Sequence, residues 1–69
     1  MKDGRYFSKA LNQNVWVHKM VLDGKFPYCE CEKCGKPLYT GFYSVTLEQD
    51  GTEGLYGSEC IKKLNLIKG

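Results

Sequence analysis

The sequence predicts a small α+β domain, β-hairpins followed by a C-terminal helix, with a bound metal ion supplementing its core. Three observations carry this reading. The chain has 69 residues, which allows a single domain over 1–69 but is marginal for burying a self-sufficient core. Runs rich in β-branched and aromatic residues are punctuated by turn signals, and the last dozen residues space their apolar side chains as a helix does. Four cysteines, three of them in "CECEKCG", offer the staple that so small a core needs.

Taken in order, "RYFSKAL" fits a strand closed by "NQN" or a short helix, between which the periodicity does not decide, and strand is the preferred reading. The stretch "NVWVHKMVLDGKFPYCEC" follows, with Asp23 and Gly24 between two strand-like runs. Asp-Gly is a strong signal for a two-residue hairpin turn, which needs positive φ at both central positions. That turn would set His18 opposite Cys29. Pro27 cannot donate to a ladder, so its strand is expected at an edge or irregular. "GFYSVTLEQDGTEGLYG" reads as a second hairpin, with Phe42 to Leu47 as its first arm and "EQDGTE" as its loop. Trp16, Phe26 and Phe42 are expected in the core.

The final segment, "GSECIKKLNLIK", places Ile61, Leu64 and Ile67 at helical spacing, with Lys62 and Lys63 turned away. Ser58 is the expected N-cap and Glu59 suits the first turn. Cys60 then falls in that first turn. There are no repeats, low-complexity tracts or linkers.

Ten basic and eight acidic side chains leave a formal charge of +2, too mild to identify a nucleic-acid binder. Four thiolates and one divalent ion would bring that charge to neutrality. The N-terminal "MKDGRYFSKALNQN" has no apolar core of a signal peptide. No window approaches the roughly 18 apolar residues of a membrane span. The expectation is a cytoplasmic protein without membrane association, and in a reducing compartment closely spaced cysteines favour metal over disulfides.

Cys31 and Cys34 form a CxxC followed by Gly35, the composition of a zinc knuckle, in which two thiolates point inward from a tight turn. Cys60, at a helix start, adds a third sulfur where backbone N–H groups favour thiolate. Tetrahedral Zn2+ takes four ligands. Cys29 is the first choice for the fourth, because four thiolates leave no reactive thiol over; His18 is the alternative. The objection to Cys29 is that Cα atoms two apart along a strand are about 6.6 Å from each other, so "CEC" must curl around the ion. A disulfide framework, with three connectivities, is the structural alternative, and bridging Cys29 to Cys31 would be strained. A thioredoxin-like centre wants CxxC to open a helix, which Gly35 and Pro37 oppose.

Enzymatic zinc keeps a position open and needs a general base. No HxE or HExxH pattern, phosphate loop or nucleophile elbow is present, and Glu30 and Glu32 read as a solvated face. The chain is therefore expected not to be an enzyme.

"CEKCGKPLYTG", a hairpin and "YGSECIKKL" together resemble a treble-clef zinc finger. They are also similar to small zinc-finger proteins of bacteria and phages with a CG[KR]xL knuckle and a GSxC..K helix start. The resemblance covers about residues 29–66. It implies ligand roles for Cys31, Cys34 and Cys60. It departs at Lys63, where the helix of such a finger would offer a second ligand.

Two roles are expected of such a module. One is a protein-interaction adaptor or regulator presenting some of Tyr6, Phe7, Trp16, Phe26, Tyr28, Tyr39, Phe42, Tyr43 and Tyr56 to a partner, since tyrosine and tryptophan favour interfaces. The other is nucleic-acid binding through Lys33, Lys36, Lys62, Lys63 and Lys68. An aromatic-rich edge strand could make a homodimer as readily as leave a monomer.

Overall fold

Alternation of valines with polar or bulky residues in the middle of the chain produces the central strand of the fold. In the computed structural model, which describes residues 2–68, Val15 and Val17 are buried while Trp16 and His18 point the other way. Met1 and Gly69, inside the predicted domain, lie outside the described residues. The elements are β1 (Gly4–Ser8), β2 (Gln13–Val21), β3 (Cys29–Glu30), β4 (Pro37–Leu38), β5 (Gly41–Leu47), β6 (Glu53–Tyr56), α1 (Ser58–Lys62) and β7 (Leu66–Lys68). This is a small α+β arrangement, mostly strand with one short helix.

Five strands form an antiparallel sheet in the order β6-β5-β2-β1-β7, and β3 and β4 pair separately as a two-stranded ribbon. The register sets Tyr6 against Val15, Val15 against Leu47 and Val17 against Val45. These inward side chains meet Ile61 and Leu64 at the C-terminal end of the chain, forming a core cluster of Tyr6, Val15, Val17, Val45, Ile61 and Leu64. Ser8 is fully buried among them and satisfied: its Oγ donates to the Leu64 carbonyl at 2.8 Å and accepts from the Leu11 N–H at 3.1 Å.

Among the described residues, no helix covers the opposite sheet face. Trp16 is 52% exposed there, and Met20 and Ile67 are also exposed. Phe42 is buried on that side beneath Tyr28, whose ring stacks on it at 5.3 Å between centroids. Phe42 thus lies inside as expected, whereas Trp16 and Phe26, the latter 77% exposed, do not. For Trp16 the cause is the pleat: once Val15 and Val17 face the core, the residue between them must face out.

The hairpin at Asp23-Gly24 is replaced by a different pairing. β2 pairs with β5 instead of β3, so His18 faces Ser44, and Cys29 faces Leu38. Gly24 has φ 82°, but Asp23 is not among the residues with positive φ, so the two-residue turn that would join β2 to β3 does not form. Instead the Asp23 carboxylate accepts the Lys25 N–H at 2.9 Å, and Leu22 and Gly24 donate to the carbonyls of Thr40 and Tyr39. Pro27 falls in no strand.

The second hairpin is present, with β5 and β6 joined through residues 48–52. The predicted terminal helix is cut short. Asn65 takes φ 51°, and the chain then adds β7 to the free edge of β1. Ile61 and Leu64 keep their helical-face burial, while Ile67 becomes a strand residue and is exposed. Gly57, not Ser58, occupies the N-cap, with no side-chain cap; Ser58 is the first helical residue.

Candidate metal centre

The ribbon of β3 and β4 exists to present a turn. Cys31 follows β3 directly; its N–H donates to the Lys36 carbonyl and its carbonyl accepts from the Gly35 N–H, both at 2.8 Å. Closing the turn requires Gly35 at φ 75°, a conformation that costs a side-chain-bearing residue about 1–2 kcal/mol. The Glu32 N–H donates to the Leu55 carbonyl at 2.7 Å, which docks the turn on the edge of β6. From β6 the chain passes through Tyr56 and Gly57 into α1, carrying Cys60 back to the same place.

The consequence is a cluster in which the sulfurs of Cys31, Cys34 and Cys60 all lie within 4.8 Å of one another. Tetrahedral zinc–thiolate bonds of about 2.3 Å put sulfurs about 3.8 Å apart, so the spacing fits a metal ion with small adjustment. Cys31 and Cys60 are buried, each 3% exposed, and Cys34 is exposed. All four cysteines are free thiols. The three clustered cysteines line an open cleft with Lys36, Pro37, Leu38, Gly57, Ser58, Glu59 and Lys63.

Electrostatics divide the sulfurs. Burial pushes the Cys31 thiol up, but the N–H groups of Gly57, Cys34 and Lys33, with the Cys60 thiol, outweigh it and bring Cys31 down to about 6. The Gly57 N–H approaches its Sγ at 3.5 Å. Cys60 is pushed the other way, to about 11, by its hydrogen bonds to the Cys34 and Cys31 sulfurs and then by burial. One sulfur carrying the charge while its neighbour keeps a proton is what crowded thiols do without a cation. A divalent ion removes the conflict, since thiolates are its ligands. Tyr56 lies close enough to feel the site: burial, then the charges of Glu32, Cys31 and Cys60, raise its phenol.

The cluster does not include Cys29 or His18. Cys29 is half-buried and lines a second cleft with Pro27, Tyr28, Glu30 and Pro37. Burial, then the charge of Cys31, raises its thiol. His18 is exposed, and its Nδ1 is held 2.6 Å from Asp3 Oδ2. Their predicted side-by-side placement depended on the β2–β3 hairpin and is lost with it. Among the lysines, Lys36 and Lys63 share the cysteine cleft, Lys33 and Lys62 are exposed, and Lys68 sits with its Nζ 5.1 Å from the Tyr6 ring centroid.

Two contributors escaped the sequence reading. The Gly57 N–H and the Tyr56 ring border the sulfurs, and the only hint is their place immediately before "SEC". Gly57 is buried, and a side chain there would bring a Cβ to 3.0 Å from Leu38 Cδ2.

Residues 2–68 match a family of unknown function, DUF5830, and the chain belongs to it. No curated protein and no solved structure matches it.

Proposed function

We propose that the protein is a non-enzymatic module built around a structural zinc ion held by Cys31, Cys34 and Cys60, and that it acts as a protein-interaction adaptor or regulator. Soft thiolate donors suit zinc, and a CxxC turn with a helix-borne cysteine is an arrangement of structural zinc sites. Supporting the zinc-finger reading is the order of parts: a CxxC turn, a hairpin, and a helix whose first turn carries Cys60, as in a treble clef. Metal here would tie the ribbon to α1.

The observation that carries the interaction reading is the uncovered sheet face. Met20 is exposed on it opposite Phe42 of the Tyr28–Phe42 stack, and Trp16 and Ile67 are exposed further across the same face, while the other face holds the core. Large aromatic side chains exposed together favour protein contacts. The test is cross-linking in the source cell, repeated with Trp16→Ala and Tyr28→Ala. Loss of a defined partner at unchanged zinc content supports the reading. An unchanged cross-linking pattern in both variants contradicts it.

A second reading has one specific observation behind it. Lys36 and Lys63 come from distant parts of the chain to line one cleft, with Lys33 and Lys62 exposed on the same two segments. Nucleic-acid binding there would weaken steeply as salt is raised, because phosphate contacts release counterions. A fluorescent oligonucleotide titrated at several salt concentrations, with Lys36→Ala and Lys63→Ala as controls, separates the two readings.

A further inference from the structure

Resting on the zinc reading, we infer that the fourth coordination position of the centre is filled from outside the chain, by an exchangeable thiolate donor entering through the cleft beside Cys34. Tetrahedral zinc takes four donors, and the clustered side chains supply three. Cys29 is committed to β3 opposite Leu38 and borders a different cleft. His18 is anchored to Asp3 on β2, with Ser44 across from it.

The open side of the cluster matches an incoming anion. Cys31 and Cys60 are buried and Cys34 is exposed, so the sulfurs are reached from the cleft. Three thiolates on a divalent ion carry a net negative charge, and a fourth thiolate adds another. Lys36 and Lys63, both lining that cleft, supply two compensating positive charges. Donor softness favours sulfur over oxygen at a site that already has three thiolates. Glu59 also lines the cleft and is, among the described residues, the one side-chain carboxylate there that could compete from within the chain.

Cobalt-substituted protein tests this directly, because charge-transfer absorption from sulfur to cobalt scales with the number of thiolate ligands. The expected spectrum is that of three thiolates, identical in wild type and Cys29→Ser. Adding 2-mercaptoethanol should raise the sulfur band saturably by about one third, as three thiolates become four. Lys36→Ala with Lys63→Ala should weaken that response several-fold. A four-thiolate spectrum before any addition, falling in Cys29→Ser, would overturn the inference. So would a spectrum that ignores the thiol until Glu59→Gln is introduced, or a thiol that strips the metal instead of joining it. Failure of the zinc reading itself looks different: no tetrahedral cobalt band in any variant.

Discussion

The sheet and the cysteine ribbon are stabilised by different physics. In the sheet, β2 is paired along both edges and its inward valines sit in an apolar cluster. In the ribbon, two strands of two residues each hold an exposed turn whose only buried side chain is that of Cys31. Apolar burial explains the first and cannot explain the second. α1 belongs to both, because Ile61 closes the core while Cys60 joins the sulfurs. The proposed metal would therefore couple the ribbon to the sheet through α1.

Removing the proposed metal should produce the largest effect. Structural zinc in finger peptides supplies about 10–16 kcal/mol, comparable with or above the whole stability of a domain this size. Chelation, or serine at Cys31, Cys34 or Cys60, should collapse amide dispersion in the sheet as well as the ribbon. Dispersion lost only in the ribbon and α1 would show that the sheet stands alone. Acidification should release the ion as well, since protons compete for thiolates.

Next comes the shared helix. Ile61→Ala should cost about 2–5 kcal/mol by leaving a cavity under α1. Its thermal midpoint should fall while native mass still shows bound metal. Ser8→Ala should cost about 1–3 kcal/mol, because the Leu11 N–H loses its acceptor and the Leu64 carbonyl keeps only the longer bond from the Ala10 N–H. In the ribbon, Gly35→Ala should cost about 1–2 kcal/mol through its positive φ alone, read as a matching shift in the zinc-loaded denaturation midpoint. The smallest change belongs to the uncovered face: Trp16→Ala should move stability by no more than about 0.5 kcal/mol, leaving any effect to appear in partner binding.

Much of this division is readable in the sequence, and the unreadable part has a common cause. CxxC with Gly35 marks the turn, the run from Phe42 to Leu47 marks a hairpin arm, and Ser-Glu-Cys marks the helix start. Each is a local signal. The choice of β5 over β3 as the partner of β2 is long-range. It decides at once that His18 faces Ser44 and that Trp16 is outside. Asn65 is a milder case: its left-handed turn ends the helical segment that Ile61, Leu64 and Ile67 suggest, because β1 offers β7 an open edge. The third sulfur of the cluster comes from far along the chain, yet its place in a first helical turn makes it legible.

The most direct measurement is native mass spectrometry of protein purified without added metal, compared across serine variants of each cysteine and His18→Ala. One zinc per chain is expected, lost in Cys31→Ser, Cys34→Ser and Cys60→Ser, and retained in Cys29→Ser and His18→Ala. A metal-free chain four hydrogens light would mean two disulfides and would contradict that expectation.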